Sequence, residues 1–201
     1  MRIGVLALQG DFAEHIAVLS QLGVNAIAIR LPSQLDELDG LIIPGGESTT
    51  MSRLIEDYNL ARPIKELAYQ GLPILGTCAG MVLLAKKVTN SVNRGLGIMD
   101  IEVERNAFGR QVDSFEIDLP IPVLGDYPFH GVFIRAPLIR EVEPGVEILC
   151  QLSNGAIVAV KQNNCLACSF HPELTDDPRF HEYFLNFTKG RYICEEKSLT
   201  I

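Results

Sequence analysis

The sequence is that of an α/β fold with three layers, a mostly parallel central sheet extended by antiparallel strands. Two patterns carry this expectation. In the first half, short unbroken apolar runs alternate with segments of helical period, as when parallel strands are buried on both faces by the helices that connect them. In the second half, Ile101-Glu102-Val103-Glu104 and Phe115-Glu116-Ile117-Asp118 alternate apolar with polar residues, as half-exposed strands do.

The elements follow in order. Ile3 to Leu8 reads as the first strand, and Phe12, Ile16, Leu19 and Leu22 recur at helical spacing until Gly23 stops the helix. Asn25 to Arg30 is a second strand, and Leu41 to Ile43 a third that ends at Pro44-Gly45-Gly46. Helical segments run to Gln70, where Gly71 caps them, and Leu72 to Leu75 leads into a turn at Cys78. Beyond the alternating segments, which are expected to extend the sheet, Asn154-Gly155 signals a hairpin and Cys165 to Phe170 reads as a buried strand. Asp177-Pro178 opens a last helix with Phe180, Phe184 and Phe187 on one core face, closing at Gly190. No repeat or linker interrupts this pattern, so residues 1–190 are expected to form one domain and 191–201 a tail.

Composition narrows the class. A chain of 201 residues is long enough for a domain that buries roughly 70% of its unfolded surface. The net charge of -8, without clustered Lys or Arg, disfavours nucleic-acid binding. The N-terminus runs straight into a strand and then polar Gln9 and Asp11, which is the pattern of neither a signal peptide nor a membrane span, so the cytosol is expected. Five cysteines, an odd count, argue against a disulfide framework. Cys165 and Cys168 have C-x-x-C spacing but no second ligand pair for zinc, and are expected to be core residues.

The chemistry is concentrated at a few positions. Ile74-Leu75-Gly76-Thr77-Cys78-Ala79-Gly80 sets a cysteine where a strand turns sharply into a helix, beside backbone N–H groups able to hold an oxyanion. A helix N-terminus also favours a thiolate nucleophile. In Ser169-Phe170-His171-Pro172-Glu173, Pro172 is expected to keep the backbone extended, so that Glu173 accepts from one nitrogen of His171 while the other faces a thiol. Gly45-Gly46-Glu47-Ser48 is a glycine turn before a helix, without the lysine or spacing of a P-loop. Sites in parallel sheets lie at the carboxyl ends of strands, and Gln9, Gly46 and Cys78 each stand just past one.

Cys78, His171 and Glu173 in these motifs resemble the Cys-His-Glu triad of class I glutamine amidotransferases. Leu8-Gln9-Gly10-Asp11, Pro44-Gly45-Gly46-Glu47-Ser48-Thr49-Thr50, the run from Arg105 to Gln111, and Phe133-Ile134-Arg135-Ala136-Pro137 narrow the resemblance to glutaminase subunits of pyridoxal 5'-phosphate synthase. The resemblance spans about residues 3 to 190 and implies a class I glutamine amidotransferase-like fold, with hydrolysis of L-glutamine to glutamate and ammonia by the triad. It further implies an oxyanion hole of the Gly46 and Ala79 amides, and glutamine contacts from Gly46, Glu47, Ser48, Arg105, Ile134 and Arg135. No metal or bound cofactor is implied. The implied partner is a separate synthase subunit that combines the ammonia with ribose 5-phosphate and glyceraldehyde 3-phosphate in a hetero-oligomer. Gln9-Gly10-Asp11 is placed to couple a docking surface to the Gly45-Gly46 turn. His15 and His130 lie in similar stretches and receive no catalytic role. A cysteine hydrolase acting on another amide, and a non-enzymatic regulator of the same fold, stay open at this point.

Overall fold

The computed structural model describes residues 1–89, 95–105, 107 and 114–198, with side chains as far as 188. Its first half is the expected alternation: β1 (Arg2–Leu6), α1 (Phe12–Gln21), β2 (Asn25–Ile29), β3 (Gly40–Ile43), α2 (Ser48–Asp57), α3 (Ala61–Tyr69), β4 (Ile74–Thr77) and α4 (Ala79–Leu84). The glycines read as helix stops do that work: Gly23 and Gly71 have φ of 71° and 90°, the left-handed region that ends a helix without a Cβ penalty.

The second half contributes β5 (Ala85–Thr89), β6 (Met99–Glu104), β7 (Ser114–Leu119), β8 (Phe129–Ile134), β9 (Leu138–Val142), β10 (Glu147–Gln151), β11 (Ile157–Gln162), β12 (Cys165–Cys168) and α5 (Arg179–Ser198). Among the described residues the main sheet runs in the order β2-β1-β3-β4-β12-β11-β9-β6-β5, with β10 beside β11. Strands β2, β1, β3, β4 and β12 are mutually parallel, while β11, β9 and β10 join by antiparallel pairs. The hairpin at Asn154-Gly155 forms as expected between β10 and β11, with Gly155 at φ 83° and Asn154 Oδ1 accepting from the Ala156 amide.

Two expectations are corrected. Phe115 to Asp118 does form a strand, but among the described residues β7 pairs with β8 alone, in a separate two-stranded sheet. Its neighbours Phe129 and Phe133 bury their rings beside Phe170 and Phe180 on one face of the main sheet, so packing, and not edge pairing, fixes the hairpin there. The last helix does not close at Gly190 but continues to Ser198. One interior glycine costs a helix about 1 kcal/mol, which a following run containing Arg191, Glu195, Glu196 and Lys197 can carry.

The two faces of the sheet explain the three layers. Leu41, Ile43 and Ile74 point to a core closed by Met51, Ile55, Ile64 and Met81 of α2, α3 and α4. Ile42, Leu75 and Leu166 point the other way, to a core with Leu19, Phe180 and Phe184 of α1 and α5. Adjacent residues of one strand thus serve opposite cores, which is why these strands show no polar alternation. Cys165 and Cys168 are buried in this packing as expected, and the four cysteines with described side chains are free thiols. No helix among the described residues is long and apolar enough to cross a membrane.

Candidate active site

Cys78 occupies the single residue between β4 and α4, with φ 48° and ψ -103°. For a residue with a Cβ such a conformation costs of order 1–3 kcal/mol and persists only when its surroundings dictate it. Here the Cys78 amide donates to the Cys168 carbonyl of β12 at 2.8 Å. On the helix side, Gly80 lies so close to β3 that a Cβ would fall 1.9 Å from the Ile43 carbonyl oxygen. Glycine at that position lets α4 turn back tightly over the strand ends. The first helical bond of α4 is Val82 N–H to the Cys78 carbonyl, so the Ala79 amide precedes the helical ladder, the position from which an amide can serve an oxyanion.

His171 follows the end of β12, and its own amide donates to the Val132 carbonyl of β8 at 2.8 Å, fixing it between the two sheets. Its Nδ1 lies 2.7 Å from Glu173 Oε1, the pairing expected from the sequence. The route differs from the expectation. Residues Pro172–Leu174 form a 3-10 turn and not extended chain, because the fixed φ of proline also suits the first position of a helical turn, and the turn brings Glu173 back beneath the ring. With Nδ1 committed, Nε2 is the nitrogen left for the thiol. Burial opposes a charge on His171, but hydrogen bonding with Asp11, Cys78 and Glu173 more than offsets it and holds the ring up to about 12. The arrangement therefore favours an imidazolium facing the Cys78 sulfur.

The glycine turn lies against the loop after β1. A Cβ on Gly10 would sit 1.7 Å from the Gly45 carbonyl oxygen, and that oxygen accepts from the Asp11 amide at 3.1 Å. Gln9 Oε1 accepts from the Glu47 amide at 2.7 Å, and Gly46 has φ 154°. The Glu47 carboxylate caps α2 by accepting from the Thr49 and Thr50 amides at 3.0 and 2.6 Å. Burial works against that charge, yet the Thr50 and Thr49 bonds together outweigh it and hold the carboxyl down to about 2.

Gln9, Asp11, Gly46, Glu47, Ser48, Cys78, Ala79, Arg105, Ile134, Arg135 and His171 line one cleft of about 390 Å³, roughly the room a small polar ligand needs. The ten residues expected at the site are thus brought together, Glu173 directly behind His171. Ile134 offers its carbonyl 3.9 Å from Cys78 Sγ, and Arg135 has φ 43°, a second strained residue on the rim. Arg105 is engaged already, donating to Glu47 Oε1 and Thr49 Oγ1, each at 3.0 Å. Asn106 and Phe108 to Gln111 of its motif lie outside the described residues. A groove of about 420 Å³ over β5, β6 and β9 holds Lys86, Lys87, Asp100 and Glu143, whose charges pair with one another, and among the described residues no cysteine, serine or histidine lines it.

A model of the SNO glutamine amidotransferase family matches residues 5–189. The chain belongs to that family. Among relatives, the pyridoxal 5'-phosphate synthase subunit PdxT of Moorella thermoacetica is 59% identical over 185 residues, covering 92% of this chain and 98% of its own. That of Bacillus velezensis is 54% identical, covering 94% and 95%. A crystal structure described as a glutamine amidotransferase superposes with TM-score 0.88 at 48% identity over 93% of this chain and 98% of its own. A putative GMP synthase protein from Thermoplasma acidophilum, at 17% identity and TM-score 0.73 over 98% of each chain, shares the fold.

Within this glutamine amidotransferase frame, some residues at the site carry little local signal. His15, which received no catalytic role, is fully buried and lies 3.2 Å from Glu173 Oε2. Asp11 Oδ2 is 3.3 Å from His171 Nδ1, and His181 Nε2 is 2.9 Å from His15 Nδ1. Asp11 and His15 are four residues apart at the start of α1, a spacing that puts both on one helix face. That spacing was the available signal.

Proposed function

We propose that the chain is a glutaminase that hydrolyses L-glutamine to L-glutamate and ammonia and supplies the ammonia to a separate pyridoxal 5'-phosphate synthase subunit. The observation that carries this reading is the strained Cys78 turn sharing one cleft with the His171–Glu173 pair, in a chain that belongs to a glutamine amidotransferase family. Cys78 attacks the carboxamide carbon, and the oxyanion that forms is held by the Ala79 and Gly46 amides. His171 passes its proton to the departing ammonia while Glu173 stabilises the imidazolium. Water then cleaves the glutamyl thioester, His171 taking its proton, which returns the thiolate and imidazolium. Glutamine and water are thereby converted to glutamate and ammonia with no metal or cofactor. Free thiols at the four described cysteines agree with a cytosolic setting. The deciding experiment is glutamate release from glutamine, measured with and without synthase subunit. No release in either condition would overturn the reading.

Arg105 and Arg135 are assigned to the α-carboxylate of glutamine, a planar anion suited to a guanidinium. Arg105→Ala or Arg135→Ala is expected to raise KM and to weaken discrimination against analogues lacking that carboxylate, at a cost of about 1.5–3 kcal/mol. Because Arg105 also holds Glu47 and Thr49, its replacement should further loosen the start of α2. An unchanged KM with a lowered Tm would assign either arginine to the scaffold.

The partner is expected to switch the enzyme on. The Gly45-Gly46 peptide is held by the Asp11 amide, a bond worth about 1 kcal/mol net, so docking near Gln9-Gly10-Asp11 needs little energy to reorient it. Completing one oxyanion donor would raise kcat on the order of 100-fold, with a smaller effect on KM. Titration of the purified chain with synthase subunit measures this. Full activity of the chain alone would overturn the gating while leaving the triad in place.

A further inference from the structure

We propose that His15 is a positioning residue for glutamine hydrolysis, holding the second carboxylate oxygen of Glu173 through a buried chain that runs His181, His15, Glu173, His171. The inference rests on the glutaminase reading. Glu173 has no exposed side-chain surface, and Oε1 is taken by His171 at 2.7 Å. Among the described residues Oε2 has one ion-pair partner, His15 Nε2 at 3.2 Å. The contact is not aligned as a hydrogen bond; the same nitrogen is aligned on Thr77 Oγ1, also at 3.2 Å. Nε2–H thus stands between the two oxygens, and a small rotation of the ring or of Glu173 moves it from Thr77 to the carboxylate.

Donor and acceptor roles then follow along the chain. A carboxylate only accepts, so His15 carries its hydrogen on Nε2, its Nδ1 accepts, and His181 Nε2 donates to it across 2.9 Å. This leaves His181 Nδ1 as a bare acceptor. Glu173 Oε2 and His181 Nδ1 are the two buried side-chain polar atoms without a hydrogen bond among the described residues, and they are the two ends of this chain. A buried polar chain with open ends costs stability relative to apolar packing in the same volume. Its location behind the catalytic base gives that cost a use, since it fixes which Glu173 oxygen faces His171.

The groups facing His15 are His181 from α5, Glu173 and His171 from the turn after β12, and Thr77 from β4. Burial, reinforced by the neighbouring histidines, keeps His15 well below the ordinary histidine range, and burial holds His181 to about 4, so both rings are neutral at physiological pH. Asp11, the N-cap residue of α1, lies against His171. The start of α1 therefore touches both members of the base pair.

The test compares His15→Phe with His15→Gln in the presence of synthase subunit. His15→Phe removes the donor and is expected to lower kcat roughly 10- to 100-fold, the weight of one hydrogen bond to a charge, with KM unchanged. Because a donor favours the ionised carboxylate, its loss should move the acid limb of the pH–rate profile up by about one unit. His15→Gln, whose side-chain amide can reach the position of Nε2, should recover most of kcat. A His15→Phe enzyme with wild-type kcat and pH profile, or a glutamine variant as impaired as phenylalanine at equal Tm, would overturn the proposal. If His15→Phe does not fold, imidazole nitrogen NMR of the wild-type chain decides: a neutral His15 protonated at Nε2 between about pH 6 and 8 supports the chain, and an Nδ1–H tautomer or an imidazolium overturns it. Absence of glutaminase activity in the wild type with synthase subunit would instead overturn the functional reading, and the NMR result would still judge the chain.

Discussion

Cys78→Ala is expected to abolish glutamate formation while leaving the fold and glutamine binding intact. The substitution removes one buried sulfur whose contacts in the described structure are a hydrogen bond with His171 and a long, weak one to the Ile134 carbonyl at 3.9 Å. Alanine meets the same backbone strain at φ 48° as cysteine does, and the bond from the residue 78 amide to Cys168 does not involve the side chain. Stability should therefore change by no more than about 1 kcal/mol. The chemical loss is of another order, because without a thiolate no acyl-enzyme forms and the remaining cleft can only bind. Glutamate release measures the first effect, and calorimetric titration with glutamine the second. Retention of even about a tenth of wild-type turnover would show that the nucleophile lies elsewhere.

His171→Asn should be nearly as damaging, since an amide can neither take up and return a proton nor protonate the departing ammonia. Glu173→Gln is expected to leave more activity, because Gln can still orient the ring from beneath the 3-10 turn. The sign of its pH effect follows from the charge. Against the cost of burial, Glu173 is one of the groups that raise His171 to about 12; without its charge the ring loses its proton more readily, so activity at high pH should fail at a lower pH than in the wild type. A pH–rate series on the two variants checks both statements. Equal, complete inactivity of Glu173→Gln and His171→Asn would mean that the carboxylate is chemically required and not chiefly an orienter.

The residues that make the chemistry were largely legible because each sits in a local pattern. Gly-Thr-Cys-Ala-Gly announces a tight strand-to-helix turn, and the structure gives Cys78 that geometry with Gly80 pressed against β3. His171 and Glu173 are two residues apart, so any compact backbone could pair them, and the mistaken expectation of an extended chain at Pro172 did not alter the pairing. The residues behind the base were not legible. His15 comes from α1, Thr77 from β4 and His181 from α5, and only the packing of α1 and α5 on one face of the sheet brings them together. Strand β7 was misassigned to the main sheet for a related reason. Alternating Phe115-Glu116-Ile117-Asp118 specifies a half-exposed strand but not its partner, and partner choice was decided by the buried phenylalanines of β8.

The most direct measurement of the central claim is rapid quenching of the chain, with glutamine and its synthase subunit, into acid, followed by peptide mapping by mass spectrometry. A glutamyl adduct confined to the peptide that carries Cys78, absent from Cys78→Ala and formed no more slowly than glutamate is released, is the expected result. Steady glutamate release with no adduct at Cys78, or an adduct on Cys150, Cys165 or Cys168, would contradict it.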